Sequence, residues 1–141
     1  MSGFLLDTNC ISESIRKRPE SRVVSWLRAV DESLLYLSVL TLGEIRKGAA
    51  MFPDSKRRAH LETWLESDLR VRFAERILGV DAEIADRWGL LTAQAQHKGR
   101  PLAAVDGLIA ATALEHNLTI VSRNVSDFDG TDVPVFNPWE A

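Results

Sequence analysis

Cysteine is almost absent from this sequence, since Cys10 is the single one among 141 residues. An internal disulfide and a zinc site built on cysteines are therefore excluded, and the composition suits a reducing compartment. Long apolar runs are missing as well. The first run ends at Asp7, too early for the core of a signal peptide, and no later run approaches the ~20 residues that a membrane-spanning helix needs. We therefore expect a cytoplasmic protein that does not enter a membrane.

Positive charge is in slight deficit, with 17 lysines and arginines against 20 aspartates and glutamates and a net charge of −3. This balance counts against a general nucleic-acid coat protein, which normally carries a basic surface. The basic residues nevertheless concentrate in two segments. The first holds Arg16, Lys17, Arg18, Arg22 and Arg28, and the second holds Arg46, Lys47, Lys56, Arg57 and Arg58. Each segment is either a local positive surface or an ordinary solvated helix face.

Short apolar segments alternate with longer amphipathic ones along the chain. The segments with the length and flanking turn residues of strands are 4–6, 34–39, 77–80, 118–122 and 133–136. Helical spacing of apolar residues follows Ser21, Thr41, Ser55 and Asp81 and covers residues 103–116. Because such alternation needs crossover connections, the sequence predicts an α/β fold with a central, mostly parallel sheet and helices on both faces. The length fits one domain, residues 1–141.

Several polar residues have the positions of helix starts. Thr41 and Glu44 have the spacing of a capping box, in which the threonine begins a helix and the glutamate bonds back to it. Ser21 and Asp81 are also placed to cap the helices that follow them. Asp106 falls early in the helix over residues 103–116. These signals put Glu44 and Asp106 in the first turns of their helices.

Polar residues directly follow two of the predicted strands: Asp7-Thr8-Asn9 after the first and Ser122-Arg123-Asn124 after the fourth. In an open parallel sheet, functional groups collect beyond the carboxyl ends of the strands. A helix that begins soon after a strand starts at that same edge, which brings Glu44 and Asp106 there too. We therefore expect one cavity to hold residues from all four positions.

Each of these residues also has an ordinary structural role open to it. Asp7 can end its strand in an Asx turn, and Asn124 can form a turn. Glu44 can serve only the capping box, and Asp106 only the helix dipole. Those roles leave unexplained why several acids, which repel one another, gather at one sheet edge. A hard divalent cation such as Mg²⁺ removes the repulsion and is commonly shared with substrate phosphates, so a phosphodiester is the natural substrate class.

The chain resembles the PIN-domain nucleases, and specifically the VapC-type toxins of bacterial toxin–antitoxin pairs. The resemblance covers nearly the whole chain and rests on an ordered set of motifs. They are Leu5-Leu6-Asp7-Thr8-Asn9, Thr41-Leu42-Gly43-Glu44-Ile45, residues 104–113 around Asp106, Val121-Ser122-Arg123-Asn124, and Phe136-Asn137-Pro138-Trp139. The last motif is similar to the closing segment of a toxin subgroup whose antitoxins carry a DNA-binding domain.

The resemblance implies a metal-dependent endoribonuclease that uses one or two Mg²⁺ or Mn²⁺ ions. The implied metal ligands are Asp7, Glu44 and Asp106, and the residues implied to orient them through hydrogen bonds are Thr8, Asn9 and Ser122. Asn124 stands where the family often has a fourth acid, so a catalytic role for it rests on its amide oxygen. Asp127, three residues later, is either a substitute for that acid or an ordinary loop residue.

The resemblance also implies partners: an RNA substrate, a cognate antitoxin protein and a second copy of the chain in a homodimer, with or without a larger toxin–antitoxin assembly. Two other functions stay open, namely a non-catalytic binding module with this fold and a phosphotransfer domain that uses Asp7. The phosphotransfer domain would want another aspartate where Asn9 stands, or a lysine where Arg123 and Asn124 stand. The histidines His60, His97 and His116 lie outside the polar strand ends. A histidine-based ribonuclease is therefore disfavoured.

Overall fold

The computed structural model describes residues 2–141. Its centre is a five-stranded sheet. The strands are β1 (Phe4–Leu6), β2 (Leu35–Ser38), β3 (Ile77–Leu78), β4 (Thr119–Val121) and β5 (Val135–Phe136). Their order across the sheet is β3-β2-β1-β4-β5, and every neighbouring pair is parallel. The predicted α/β class is confirmed, and the sheet predicted as mostly parallel is parallel throughout.

Helices connect the strands and cover the sheet. They are α1 (Thr8–Glu13), α2 (Ser21–Ala29), α3 (Val39–Ala50), α4 (Ser55–Thr63), α5 (Arg70–Arg72), α6 (Ala82–His97) and α7 (Ala104–Glu115). A π-helical segment, Trp64–Leu69, joins α4 to α5, and short 3₁₀ turns cover Glu32–Leu34, Val125–Phe128 and Pro138–Glu140. Within residues 2–141, no helix has the length and apolar character needed to cross a membrane.

The adjacent β1 residues Leu5 and Leu6 belong to two separate hydrophobic cores, because successive side chains of a strand point to opposite faces of the sheet. Leu6 packs into a core with α2, α3 and the π-helical segment, and its buried members include Val23, Leu27, Leu37, Ile45, Leu69, Phe73 and Trp139. Leu5 packs into the other core with α6 and α7, and its buried members include Ile84, Leu91, Ile109, Ala110, Ile120 and Phe128. The prediction of helices on both faces is therefore confirmed.

Helices α6 and α7 pack tightly against each other where α7 begins. A Cβ atom on Gly107 would lie 3.0 Å from Cδ1 of Trp88 and 3.1 Å from Cδ2 of Leu102. Such a contact is tighter than packed side chains normally allow, so glycine is required for the present spacing. This close approach fixes the first turn of α7, in which Asp106 lies.

The predicted capping box at Thr41 and Glu44 is wrong. The residue that caps α3 is Ser38, three residues before Thr41. Strand β2 ends at Ser38, and the Ser38 hydroxyl accepts the N–H of Leu40 at 3.0 Å. Thr41 is instead fully buried inside the helix. Glu44 lies in the second turn of α3, which removes the capping role as an explanation for it.

Other helix starts were predicted with mixed success. Asp81 caps α6, since its Oδ1 accepts the N–H of Ile84 at 2.9 Å. At α2 the capping prediction is wrong, because Ser21 is already helical and the capping position is Glu20, whose side chain makes no cap hydrogen bond. The short helix α1 was not predicted at all. It begins where the sequence indicated only a polar turn after Asp7.

Candidate active site

Asp7 lies at the junction of β1 and α1 and is held from two sides. Its own N–H donates to the carbonyl of Val121 on β4 at 2.9 Å. Its Oδ1 accepts the N–H of Thr8 at 2.9 Å, which caps α1, and its Oδ2 accepts the hydroxyl of Ser122 at 2.8 Å. The side chain is 9% exposed. Asp7 therefore has a fixed orientation at the carboxyl edge of the sheet.

Ser122 connects the ends of β1 and β4. While its hydroxyl donates to Asp7, the same oxygen accepts the side-chain amide of Asn9 at 3.1 Å and the N–H of Asn124 at 3.0 Å. Asn9 also accepts the N–H of Arg123 through its Oδ1 at 3.2 Å. Ser122 is fully buried. The contacts by which Asn9 and Ser122 would orient Asp7 are thus present.

Glu44 reaches the same edge from α3. Its Oε1 accepts the hydroxyl of Thr8 at 2.5 Å, while the N–H of Thr8 donates to Asp7. Thr8 therefore stands between the two acids and donates to each of them. Because Glu44 is exposed and Asp7 is buried, Thr8 links a buried acid to one at the surface.

Asp106 lies in the first turn of α7, near enough for the charges of Asp7 and Glu44 to affect it. Partial burial is the main cause that raises the pKa of its carboxyl to about 6. The negative charges of Asp127, Asp7 and Glu44, in that order, raise this pKa further. The pKa of Asp7 is also raised, chiefly by burial and then by Glu44 and Asp127, although its bonds from Ser122 and Thr8 work in the opposite direction. Glu44 and Asp127 thus lie near enough to act on both Asp7 and Asp106, and we call these four carboxyl groups the acidic edge.

The loop after β4 carries both Asn124 and Asp127, and Asp127 lines a cleft with Asp106. Asn124 is exposed, and its recorded hydrogen bond to Ser122 runs through the main chain. Asp127 belongs to the 3₁₀ turn Val125–Phe128, which Phe128 anchors in the core. Together with Asp106 it lines a cleft of about 430 Å³. Sequence reasoning gave Asp127 little weight, and the apolar Phe128 beside it was the signal that its position is fixed.

The cleft has two further charged residues that the sequence analysis did not single out. Arg100 and Asp129 line it beside Asp106 and Asp127. Arg100 follows Gly99, whose positive φ of 71° suits the end of α6. Because Arg100 lies between a glycine and a proline after the end of a helix, the sequence alone does not show which way its side chain points.

The donor set at the acidic edge suits a hard divalent cation. All of its groups are carboxylate oxygens, and the groups that perturb the pKa values of Asp7 and Asp106 include no cationic side chain. Mg²⁺ and Mn²⁺ prefer such oxygens and often retain several waters. Across residues 2–141, no three histidine, cysteine or acidic side chains stand close enough to hold a metal ion by themselves. The acids thus face a shared space rather than form a closed cage.

Comparison with known proteins agrees with this geometry. The chain is 42% identical over 136 residues to Toxin FitB of Neisseria gonorrhoeae, and the alignment covers 96% of this chain and 98% of the relative. It is 37% identical over 137 residues to VapC ribonuclease Y4jK of Sinorhizobium fredii, covering 97% and 98%. The crystal structure of FitAcB from Neisseria gonorrhoeae superposes with a TM-score of 0.93 at 41% identity, covering 98% of this chain and 99% of that one.

The resemblance drawn from the motifs is confirmed by these relatives. It is also supported over nearly the full length of the fold, since a family model described as PIN domain matches residues 4–133. The chain belongs to the PIN domain family.

Proposed function

We propose that this chain is an endoribonuclease that hydrolyses RNA phosphodiester bonds at the acidic edge, and that it is the toxin of a type II toxin–antitoxin pair. The observation that carries the proposal is the convergence of carboxyl groups from separate elements in a member of the PIN domain family: the charges of Glu44 and Asp127 raise the pKa values of both Asp7 and Asp106. Relatives named ribonuclease and toxin support the same activity.

Asp7, Glu44 and Asp106 are the residues that would hold the metal. When bound, Mg²⁺ or Mn²⁺ supplies Lewis-acid stabilisation of phosphate charge and a lowered pKa for an attacking water. Thr8 and Ser122 fix Asp7 and Glu44 by donating hydrogen bonds to them, which leaves the other lone pairs free to face the shared space. The protein's part is thus to place negatively charged oxygens rigidly around the substrate phosphate.

The fourth acidic group is assigned to Asp127. Its charge is the largest electrostatic influence on the Asp106 pKa after burial, and it lines the same cleft. Asn124 contributes its N–H to Ser122 and thereby closes the loop on which Asp127 stands. An additional role for the Asn124 amide oxygen in positioning water, and the number of ions, remain predictions.

The proposal is tested by RNA cleavage with Mg²⁺, with Mn²⁺ and with EDTA. The full chain should cleave structured RNAs only with metal, and Asp7→Ala should abolish cleavage. Asp68→Asn is the matched control, because Asp68 is an exposed acid on the π-helical segment away from the acidic edge. If the protein and Asp7→Ala behave alike under all three conditions, the chain is a non-catalytic binding module instead.

The toxin role has a separate test in cells. Expression of the chain should arrest growth, and co-expression of a small antitoxin gene adjacent to it should relieve the arrest. We expect the antitoxin to bind the toxin homodimer in the cytoplasm and to block the acidic edge. A complex that retains full nuclease activity would contradict this mode of inhibition. The phosphotransfer interpretation of Asp7 gains no support from relatives named ribonuclease and toxin.

A further inference from the structure

The two basic segments of the sequence meet at one groove beside the acidic edge. The groove has a volume of about 300 Å³ and lies between α1, α3 and α4. Arg16 comes from the first basic segment and Arg57 from the second, and both line it. Its wall also includes Thr8 and Glu44, the hydrogen-bonded pair of the acidic edge. The groove therefore runs from the acidic edge to two guanidinium groups.

Arg57 is less engaged than the other arginines of the second segment. Arg46 forms ion pairs with Glu62 and Glu66, and Arg58 donates to the carbonyl of Phe52 at 3.0 Å. Within residues 2–141, by contrast, Arg57 takes part in no ion pair.

Arg16 is paired at 3.2 Å with Glu13, whose other oxygen already accepts the N–H of Glu20. The Arg16 side chain is nevertheless 62% exposed. Arg57 can therefore bind a ligand oxygen without giving up an ion pair, and Arg16 can do so through the guanidinium nitrogens that are not bonded to the buried Glu13.

The floor of the groove is apolar and includes one large aromatic ring. Trp64, Leu61 and Ile45 line it, and Trp64 is the first residue of the π-helical segment. Grooves that bind single-stranded nucleic acids combine positive charge along the backbone with aromatic rings on which bases stack. The groove has both components in a chain whose net charge is −3.

We propose that this groove binds the single-stranded RNA that flanks the cleaved bond, with Arg16 and Arg57 on phosphates and Trp64 against a base. The proposal rests on the proposed function and extends it to the path of the substrate. A strand with one phosphate at the acidic edge must continue past Thr8 and Glu44, where carboxylates repel it. Arg16 and Arg57, which line the same groove, offset this repulsion by attracting the next phosphates. Positive charge directly beside the acidic edge favours RNA over a protein segment as the occupant.

The test measures RNA binding to the full chain with Asp7→Asn, a background that prevents cleavage. A short fluorescent single-stranded RNA is titrated at increasing KCl concentrations. We expect Arg57→Gln and Arg16→Gln each to weaken binding about fivefold near 0.1 M salt and to reduce the slope of log affinity against log salt by ~0.7. Trp64→Leu, which keeps the side chain apolar but removes the ring, should weaken binding about tenfold with the slope unchanged.

Arg58→Gln is the control, because that arginine lies beside Arg57 in sequence and is bound to a carbonyl instead. Equal affinity and slope in Arg57→Gln and the background would overturn the proposal, and so would absence of RNA binding at every salt concentration. If the same variants lose binding of an antitoxin peptide but keep that of RNA, the groove serves a protein partner and the proposal is wrong. Cleavage by the wild-type chain is measured separately, so failure of the groove is distinguishable from failure of the nuclease activity.

Discussion

The substitution Ser122→Ala removes the hydroxyl that donates to Asp7 and should show how much this bond stabilises the buried carboxylate. Within residues 2–141, the hydroxyl of Ser122 makes the only side-chain hydrogen bond to Oδ2 of Asp7, and Ser122 itself is fully buried. A hydrogen bond to a charged group contributes ~1.5–3 kcal/mol to stability, and a buried acceptor left without a donor adds to the loss. We expect the free energy of unfolding to fall by about 2–3 kcal/mol at pH 7.

The loss should depend on pH in a defined direction. Burial already raises the pKa of Asp7 above 3.8, and the Ser122 bond is the largest influence that lowers it. Removing the bond therefore raises the folded-state pKa further. A group whose folded pKa is raised favours the native state below its unfolded pKa, and that contribution is lost as pH rises through the folded pKa. The difference between variant and wild type should thus shrink toward pH 4 and grow toward pH 7.

Urea denaturation followed by circular dichroism at several pH values measures this difference. Ser67→Ala, a substitution of an exposed serine in the π-helical segment, is the control and should change stability by less than ~0.5 kcal/mol. A destabilisation by Ser122→Ala that is equal at pH 4 and pH 7 would refute the reasoning, because it would mean that the charge on Asp7 is not what the serine stabilises.

Two further substitutions test the acidic edge and its support. Asp106→Asn should stabilise the metal-free protein: a pKa raised from 3.8 to about 6 corresponds to ~3 kcal/mol, which solvent screening of this partly exposed group reduces to ~1 kcal/mol. The gain should develop as pH rises from 3.8 to about 6 and stay constant above it in thermal melts with EDTA, and a variant no more stable than wild type at pH 8 would contradict it. Gly107→Ala should destabilise by ~1–2 kcal/mol because its Cβ would press on Trp88. Gly89→Ala on α6, where a Cβ meets nothing within 4 Å, should instead stabilise by up to ~1 kcal/mol, and equal effects of the two glycine changes in chemical denaturation would refute the packing argument.

The sheet and its helices could be predicted because their signals are local. The strand before Asp7 is a short apolar run ended by polar residues, and Asp81 precedes an amphipathic segment that it does cap. The parallel sheet followed from the alternation of elements, a rule that does not depend on any single boundary. Such predictions survive errors of a residue or two.

The start of α3 could not be predicted, because two serine or threonine caps competed within four residues. Ser38 and Thr41 have similar capping preferences, and burial decides between them. Ser38 ends β2 and its hydroxyl caps the helix, while Thr41 lies inside it with a hydroxyl that makes no hydrogen bond within the described residues. Propensity gave no information about where the sheet ends.

The acids of the candidate site were predicted one by one, but their relative weights were not. Asp127 was rated below Asn124, since only Asn124 matched the position of a fourth acid in the motif. Which of them faces Asp106 depends on the 3₁₀ turn that Phe128 anchors, a tertiary contact. Ser122 shows the same limit: three hydrogen bonds meet at its hydroxyl, and their partners are up to 115 residues away in sequence.

A crystal structure of the chain with Mn²⁺, with the ion located by its anomalous scattering, tests the central claim most directly. We predict a Mn²⁺ peak among the carboxylates of Asp7, Glu44, Asp106 and Asp127, each bound to the ion directly or through a water. A crystal in which Mn²⁺ binds elsewhere, or in which these side chains hold no ion at saturating Mn²⁺, would contradict the account.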